Sequence, residues 1–321
     1  MLAGRRRLMA RVVVAGGAGF LGSHLCERLV GRGDEVVCLD DLSTGTEENL
    51  SHLSGAAGFT LVVADVSEQV PVEGPVDAVF HLASPASPIA YLARPMETLA
   101  AGSAGTRRLL ELAARCGARV VLASTSEVYG DPEVHPQPES YRGNVDPVGP
   151  RSVYDEAKRF AEALTMAAHR ALGVDVGIAR IFNTYGPRLA PGDGRVVSNF
   201  CVQALSGQPL TVHGDGTQTR SLCYVDDQVD GLLALLGAPV TGPVNIGNPD
   251  ERTVGELAET VLSLTGSCST VEHGPLPVDD PRRRCPDISL ARRALGWEPA
   301  VPLDEGLRRT VAWFRERLGT A

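Results

Sequence analysis

The sequence contains almost no lysine. Lys158 is the only lysine in the 321-residue chain, and the other 29 of its 30 Lys and Arg residues are arginine. Arginine therefore occupies nearly every position at which a cation is needed. The chemistry at position 158 is therefore expected to require lysine rather than arginine.

The sequence also lacks a long apolar run, an excess of positive charge and closely spaced cysteines. No segment reaches the roughly 18 to 20 apolar residues of a membrane-spanning helix, and the basic start "MLAGRRRLMA" lacks the apolar core of a signal peptide. The net charge of −9 argues against general binding to nucleic acid or anionic membranes. Its seven cysteines are scattered without a C-x-x-C, which is typical of reduced thiols. We therefore expect a cytoplasmic protein that binds no metal, nucleic acid or membrane.

Short runs of valine, leucine and isoleucine alternate with stretches of helical periodicity in the first half of the chain. The runs predict strands at 11–16, 35–40, 59–65, 76–83, 118–124 and 174–182. The intervening stretches predict helices that begin near Phe20, Met96 and Ser152. Continuous apolar strands are typical of a parallel sheet that is buried on both faces.

We therefore predict an α/β fold with a doubly wound parallel (Rossmann) sheet and a smaller C-terminal lobe. The sheet should lie in residues 1–185 and bind the cofactor, and residues 186–321 should form the substrate-binding lobe. Part of 222–247 is expected to return to the main sheet. Residues 157–171 are apolar on more than one helical face, which fits either internal packing or a homodimer.

The stretch "VVVAGGAGFLG" predicts a dinucleotide-binding turn. It places Gly16, Gly19 and Gly22 in a G-x-x-G-x-x-G pattern between a strand and a helix. Glycines at these positions permit a tight turn and a close approach of backbone to a pyrophosphate, which the helix N-terminus attracts. Asp40 ends the next strand, where a carboxylate binds the ribose 2′-hydroxyl of NAD and repels the 2′-phosphate of NADP. We therefore predict NAD as the cofactor.

The stretch "SVYDEAKRF" places Tyr154 and Lys158 one helical turn apart. Ser152 is the predicted N-cap of this helix, and Asp155 lies close to the position of a capping box. A lysine ammonium beside a tyrosine should lower the phenol pKa from about 10 toward neutrality. The tyrosine could then act as a general base while the carbon beneath it gives hydride to NAD.

The choice of lysine follows from this interpretation. A lysine on a flexible stem can reach a ribose hydroxyl and the phenol together, which the planar arginine fork cannot do. A surface ion pair at the same spacing would not explain why this lysine alone is not arginine. Thr125, near the end of the predicted strand 118–124, is expected to donate a hydrogen bond that orients the substrate oxygen toward Tyr154.

The motifs together resemble one family almost from end to end. They are "GGAGFLGSHL", "HLASPAS", "STSEVYGDPEVHPQ", "YDEAKR", "RIFNTYGPR", "DGRVVSNF", "PLTVHGDGTQTRSLCYVDD", "NIGNP", "DDPRRRCPDI" and "LGWEP". The family is the extended short-chain dehydrogenases/reductases, in the branch of UDP-glucuronate decarboxylases (UDP-xylose synthases). The resemblance implies C4 oxidation of the glucuronate by NAD, loss of CO₂ and re-reduction at C4, with a homodimer as the assembly.

The resemblance also implies roles for individual residues. Tyr154, Lys158 and Thr125 would carry the acid–base work, and Ser126 and Glu127 would manage water and proton at C5. Sugar 4,6-dehydratases of the same branch carry an Asp-Glu pair in place of Ser126-Glu127. Arg284 would reach back to the substrate, whereas Arg282 and Arg283 are expected to be solvated.

Further contacts follow from matching motifs. The expected cofactor contacts are Gly16, Gly19, Phe20, Leu21, Gly22, Asp40, Thr44, Gly45, Asp65, Val66, Ala83, Tyr154 and Lys158. The expected contacts to the UDP-sugar are Tyr91, Asn183, Val197, Asn199, Thr211, Arg220 and Arg284, with Tyr91 facing the hexose carboxylate.

Two departures and two alternatives remain. Gly102 stands where the family usually has asparagine, and Ala15 where threonine is common. A UDP-glucuronate 4-epimerase or another nucleotide-sugar epimerase or dehydratase would share the first oxidation. A non-catalytic NAD-binding regulator would typically have lost Tyr154 or Lys158, and this chain keeps both.

Overall fold

The computed structural model describes residues 9–275 and 283–319. The strands in this part of the chain are β1 (Arg11–Ala15), β2 (Glu35–Asp40), β3 (Phe59–Val63), β4 (Ala78–His81), β5 (Arg119–Thr125), β6 (Val176–Ile181), β7 (Thr184–Tyr185), β8 (Leu210–His213), β9 (Thr219–Ser221), β10 (Cys223–Tyr224), β11 (Pro243–Ile246), β12 (Glu251–Thr253) and β13 (Val271–Gly274). The six strands predicted from the sequence are present, with ends that differ by at most two residues.

The helices alternate with these strands along the first half of the chain. They are α1 (Phe20–Gly31), α2 (Pro88–Ala93), α3 (Pro95–Ala100), α4 (Thr106–Cys116), α5 (Ser152–Leu172), α6 (Val196–Leu205), α7 (Val225–Gly237), α8 (Val254–Thr265), α9 (Ser289–Leu295) and α10 (Leu303–Leu318). Short 3₁₀ helices cover Glu47–Leu53 and Ser126–Tyr129, and a π-helical segment, Ala101–Gly105, joins α3 to α4.

The main sheet is parallel and is buried on both faces. Within the described residues its strands pair in the order β11-β6-β5-β4-β1-β2-β3. Successive side chains of β1 alternate between two cores: Val12 and Val14 pack into the core that contains Leu25 of α1, and Val13 packs into the core that contains Leu109 of α4. This alternation explains why a continuous apolar run forms a strand here, and the predicted doubly wound fold is confirmed.

The carboxyl ends of the strands form one edge of the sheet. Ala15 at the end of β1 is level with Leu39 of β2 on one side and His81 of β4 on the other. Because β1 lies between β2 and β4, the strand order reverses at this point and leaves a crevice above it. The glycine turn, Asp40 and the 3₁₀ helix that follows β5 are therefore all brought to the same edge.

The chain beyond residue 185 contributes both to the main sheet and to a smaller lobe. β11 pairs with β6 and extends the main sheet, while β8 pairs with β13 and β9 with β12 outside it. Helices α6, α8 and α10 pack on one another in the lobe. The division at residues 185 and 186 stays an interpretation of the sequence.

The start of α5 differs from the prediction. Ser152 is the first residue of the helix, Arg151 is the N-cap, and no side chain caps the helix. Asp155 does not form a capping box because its carboxyl group interacts with Glu127 instead.

Two expectations about the chain as a whole can be compared with the structure. In residues 9–275 and 283–319, no helix has both the length and the apolar character needed to cross a bilayer. All seven cysteines lie in this part of the chain, and each is a free thiol.

Candidate active site

A cavity of about 1210 Å³ opens at the carboxyl edge of the sheet and extends to the smaller lobe. Every predicted site residue except Tyr91 lines this cavity. The cofactor set and the substrate set were placed by separate motifs, and the fold brings both to one continuous space. The assignment of each residue to a particular ligand stays a prediction.

The glycine turn packs closely against neighbouring backbone at the edge of the cavity. Gly16 has φ +82°, and a Cβ atom there would lie 2.6 Å from the backbone nitrogen of Ala83. Helix α1 begins directly after Gly19, which offers no side-chain cap to the first turn. The N–H groups of this turn lack intrahelical partners, and residues 19–22 all line the cavity. This arrangement fits the pyrophosphate of a dinucleotide.

Asp40 is held in a fixed orientation at the end of β2. Its Oδ2 accepts a hydrogen bond from the Ala18 backbone (2.9 Å), and its Oδ1 accepts one from the Leu42 backbone (2.9 Å). Burial raises the pKa of Asp40, and these two backbone hydrogen bonds oppose the shift. Each oxygen keeps a lone pair for a ribose hydroxyl, and the neighbouring Asp41 adds negative charge that disfavours a 2′-phosphate. The residues present therefore fit NAD.

Lys158 lies deep in the site. It is 5% exposed, and its Nζ donates a hydrogen bond to the Ala123 carbonyl of β5 (2.8 Å). The same Nζ lies 5.7 Å from the centre of the Tyr154 ring. Burial lowers the pKa of Lys158 to about 8. The packing leaves space for a compact ammonium that is anchored on the strand next to the phenol.

The charge environment of Tyr154 differs from the prediction. Burial and the negative charge of Glu127 raise the pKa of the phenol, while Arg195 and a hydrogen bond with Thr125 oppose the shift. The chain's own groups therefore do not bring the Tyr154 pKa toward neutrality. The physical reason is that desolvation of the phenolate dominates, and the Lys158 ammonium is directed to a backbone carbonyl.

Tyr91 is the predicted contact that does not line the cavity. Its ring stacks on that of Tyr154 with centroids 5.0 Å apart and planes 6° from parallel. The residue is 0% exposed, and its hydroxyl finds no hydrogen-bond partner in the described part of the chain. The structure places the Tyr91 ring in a second layer behind Tyr154, and the contact of Tyr91 with the hexose carboxylate stays a prediction.

Glu127 lies between two arginines. Its Oε2 is 2.8 Å from Arg151, and its Oε1 is 3.5 Å from Arg284. Burial alone would raise the pKa of Glu127, but the charges of Arg284 and Arg151 outweigh burial and hold the pKa below its usual value. Glu127 is therefore an ionised carboxylate whose charge acts on Tyr154.

Two residues of this cluster were missed by reading the sequence. Arg151 was not singled out in the sequence, although it pairs with Glu127 and lines the cavity. Asp155 was treated as a cap, although burial and the nearby Glu127 raise its pKa to about 8. Asp155 is therefore protonated near neutral pH and can donate a hydrogen bond to Glu127. Their position next to Tyr154 in "PRSVYDE" was the available signal.

Several arginines line the cavity. Arg220 and Arg284 do so as predicted, and Arg188 and Arg195, which were not predicted, line it as well. Arg195 forms an ion pair with Asp193 (2.9 Å). Guanidinium groups suit an anionic group such as a diphosphate.

The uncommon Gly102 has a packing explanation. A Cβ atom at this position would lie 2.8 Å from the Cβ of Ala157 and 2.8 Å from its carbonyl oxygen. The π-helical segment therefore contacts α5 so closely that an asparagine side chain would not fit. The Gly102 carbonyl accepts a hydrogen bond from Thr106, whose hydroxyl also bonds His81.

The motif "DDPRRRCPDI" is only partly described. Residues 279–282, and with them the prediction for Arg282, lie outside the described residues. Arg283 has a 58% exposed side chain, in line with its expected solvation, whereas Arg284 is 7% exposed.

Comparisons with known proteins identify the family of this chain. Residues 12–247 match the NAD dependent epimerase/dehydratase family. UDP-glucuronic acid decarboxylase 1 of Arabidopsis thaliana is 54% identical over 315 residues, which cover 98% of this chain and 72% of that protein. UDP-glucuronic acid decarboxylase 1 of Danio rerio is 51% identical over 308 residues, which cover 96% of this chain and 73% of that protein.

A solved structure shows the same architecture. The crystal structure of UDP-glucose 4-epimerase from Thermotoga maritima with UDP-glucose superimposes with a TM-score of 0.88 at 31% identity. The match covers 96% of this chain and 99% of the epimerase chain. The chain therefore belongs to the NAD dependent epimerase/dehydratase family, among the extended short-chain dehydrogenases/reductases.

Proposed function

We propose that this chain converts UDP-glucuronate to UDP-xylose and CO₂ with internally recycled NAD. The observation that carries the proposal is the ionised Glu127, held between Arg284 and Arg151 beside Tyr154. The high identity to UDP-glucuronic acid decarboxylases over nearly the whole chain supports the same reaction.

The acid–base steps belong to Tyr154 and its neighbours. NAD, when bound, supplies the hydride acceptor at C4, the hydride for the final reduction and, in its oxidised form, a positive charge beside the phenol. Tyr154 takes the proton of the C4 hydroxyl and later returns it to the same oxygen. Thr125 donates a hydrogen bond that orients this oxygen. Lys158 holds a positive charge near the phenol, which favours the phenolate over a site without that charge, and its remaining N–H groups would donate to the cofactor ribose.

Loss of CO₂ follows from the position of the ketone. The C4 carbonyl lies β to the C5 carboxylate, so the bond between C5 and the carboxyl carbon breaks and its electron pair enters an enolate. The O–H groups of Tyr154 and Thr125 stabilise the enolate oxygen. Ser126 and Glu127 position the water and direct the proton that C5 then takes up. Ser126 stands where a dehydratase carries an aspartic acid, so the acid that would expel a C6 hydroxyl is missing.

The substrate diphosphate is assigned to arginines that line the cavity. Arg220 and Asn199 line it and would contact the diphosphate, and Thr211 lines it and would contact the uracil. Arg284, which contacts Glu127, is placed to meet the substrate from the smaller lobe.

One incubation tests the proposal. The chain is incubated with UDP-glucuronate and NAD, the sugar nucleotides are separated, and CO₂ is measured, with Tyr154→Phe as the inactive control. UDP-xylose with one equivalent of CO₂ supports the proposal. UDP-galacturonate without CO₂ would favour a 4-epimerase, and the absence of turnover would favour a non-catalytic regulator.

A homodimer and a cytoplasmic location stay proposals. The large apolar side chains of Met96, Leu99 and Phe160 are 71%, 38% and 52% exposed on α3 and α5, which contact each other. Sedimentation velocity tests the dimer, and a species of monomer mass at micromolar concentration would contradict it.

A further inference from the structure

A cluster of three different metal-ligand types lies outside the active-site cavity. One ligand atom each from His135, Glu251 and Cys285 lies within 4.8 Å of the other two. None of these three residues lines the cavity described above. They are far apart in the sequence, so only the tertiary structure brings them together. The sequence, which lacks a C-x-x-C, had predicted no metal.

The three ligands come from three separate segments. His135 follows the 3₁₀ helix after β5, Glu251 begins β12, and Cys285 precedes α9. Backbone and side-chain hydrogen bonds hold the segments together: Gln137 accepts from the Cys285 backbone (2.9 Å) and donates its own backbone N–H to the Cys285 carbonyl (2.9 Å). The ligand atoms are therefore presented from a fixed framework.

The contacts of the cluster leave a ligand nitrogen unsatisfied. His135 Nε2 lies 2.9 Å from Glu251 Oε2, while the buried His135 Nδ1 has no hydrogen-bond partner among residues 9–275 and 283–319. Glu251 Oε1 accepts a hydrogen bond from Thr219 (2.6 Å), which orients the carboxylate. Ligating carboxylates are commonly held by such a hydrogen bond, and a neutral imidazole offers the lone pair of one ring nitrogen to a metal ion.

The Cys285 thiol completes the set. It is 3% exposed and makes a long hydrogen bond to the Pro249 carbonyl (3.4 Å). Burial keeps bulky oxidants away from the thiol. A metal ion can reach the thiol past His135 and Glu251, whose side chains are 23% and 22% exposed.

We propose that His135, Glu251 and Cys285 form a binding site for Zn²⁺ or a similar borderline-soft divalent ion. Mixed nitrogen, oxygen and sulfur ligands suit Zn²⁺ and disfavour Mg²⁺ and Ca²⁺, which take oxygen. Binding removes the thiol proton to solvent, and the thiolate and the carboxylate together neutralise the two positive charges. Water completes a tetrahedral site.

The geometry needs only small movements. Ligand distances of about 2.0 to 2.3 Å place tetrahedral ligand atoms roughly 3.3 to 3.8 Å apart. The longest separation, no more than 4.8 Å, has to close by about 1 Å, and the 2.9 Å between His135 Nε2 and Glu251 Oε2 has to widen by about 0.4 Å. Arg283 lies 3.7 Å from Glu251, but its side chain is 58% exposed and can turn into solvent when the cation binds.

The site lies next to the catalytic cluster along the chain. Cys285 directly follows Arg284, which contacts Glu127 at 3.5 Å. A metal ion would therefore tie the segment that carries Arg284 to β12 and to the His135 loop, as a clamp outside the cavity.

Cobalt substitution tests the site directly. Chelator-treated protein is titrated with Co²⁺, and thiolate-to-cobalt charge-transfer absorption is recorded in the near ultraviolet. We expect the band to saturate at one equivalent and to disappear on addition of Zn²⁺. Cys285→Ser should abolish the band, and His135→Gln should weaken Co²⁺ binding at least tenfold. Cys268→Ser is the matched control, because Cys268 is exposed and lies outside the cluster.

Each outcome decides the proposal. A wild-type protein without the band at stoichiometric Co²⁺, or a band that persists in Cys285→Ser, would overturn it. If Cys285→Ser fails to fold by circular dichroism, X-ray absorption of the zinc-loaded wild type replaces it. One sulfur at about 2.3 Å with nitrogen or oxygen neighbours at about 2.0 Å is then expected, and a shell without sulfur would overturn the proposal.

Discussion

The contact between Gly102 and Ala157 provides a sharp test of the packing beside the catalytic helix. The Gly102→Ala substitution adds one Cβ atom that would lie 2.8 Å from the Cβ of Ala157 and 2.8 Å from its carbonyl oxygen. Neither atom belongs to the end of a flexible side chain, so α5 or the π-helical segment has to move. Ala157 directly precedes Lys158, and a shift of α5 would therefore displace the lysine.

The magnitude follows from two opposing terms. Replacing a helical glycine with alanine stabilises by about 1 kcal/mol through helix propensity. Overpacking a close contact costs about 1 to 3 kcal/mol, and a contact with backbone belongs in the upper half of this range. We expect a net loss of roughly 1 to 2 kcal/mol in the free energy of unfolding. At about 2.1 cal/mol/K per residue, this lowers the midpoint of thermal unfolding of the 321-residue chain by roughly 1.5 to 3 °C.

Thermal and urea unfolding of four variants, Gly102→Ala, Ala157→Gly, their double variant and Gly31→Ala, measure the effect. Gly31→Ala is the matched control, because Gly31 lies in α1 and an added Cβ there meets nothing within 4 Å. Measured against Ala157→Gly alone, the Gly102→Ala/Ala157→Gly double variant should recover part of the loss, with a coupling energy of about 0.5 kcal/mol or more. Recovery should stay partial because the carbonyl oxygen of residue 157 remains.

Two results would refute this reasoning. Helix propensity alone predicts that Gly102→Ala matches Gly31→Ala, and equal or raised midpoints in both variants would show that the close contact carries no cost. Additive effects in the double variant would show that the Ala157 methyl group plays no part in the crowding.

Three further predictions concern the site. Lys158→Arg should lower kcat/KM by about 100-fold or more and weaken NAD binding, because the larger guanidinium does not fit a site that is 5% exposed. Glu127→Gln should lower the free energy of unfolding by about 3 kcal/mol in urea, because two buried guanidinium groups lose their counter-charge. Asp155 has a pKa of about 8 in the folded chain and about 3.9 when exposed. Between these values the folded chain holds a proton that the unfolded chain has released, so stability falls as pH rises. Asp155→Asn keeps the hydrogen-bond donor without the titration, and its thermal midpoint relative to wild type should rise between pH 4 and pH 8.

A different result would contradict each of these predictions. Wild-type turnover and NAD affinity in Lys158→Arg would contradict the role of the lysine. An unchanged urea midpoint in Glu127→Gln would show that the arginines are solvated rather than paired. A constant difference in midpoint between Asp155→Asn and wild type across the pH range would show that Asp155 titrates like an exposed aspartate.

Local patterns in the sequence were sufficient for the strands and the cofactor turn. A buried parallel strand needs an apolar run, and the runs at 11–16 and 35–40 became β1 and β2 within one residue. Gly16 and Asp40 could be identified because the requirements of a glycine turn and of a strand-end carboxylate are met within a few neighbouring residues.

Properties that depend on distant residues could not be read in this way. Tyr91 stacks behind Tyr154 rather than facing the cavity, and this depends on where α2 packs on α5. Burial and Glu127 raise the pKa of Tyr154. The prediction of a lowered pKa relied on the helical spacing between Tyr154 and Lys158, and the effect of Lys158 does not outweigh these two.

The sequence by itself determined the parallel sheet, the NAD turn and the position of the single lysine next to a tyrosine, because these depend on short-range periodicity and on residue type. Only the tertiary structure decided the charge state of the site. Arg151 and Asp155 at the start of α5 meet Arg284 at Glu127, and burial together with Coulomb interactions sets which carboxyl group keeps its proton. The grouping of His135, Glu251 and Cys285 has the same origin, since three distant segments become neighbours only when the chain has folded.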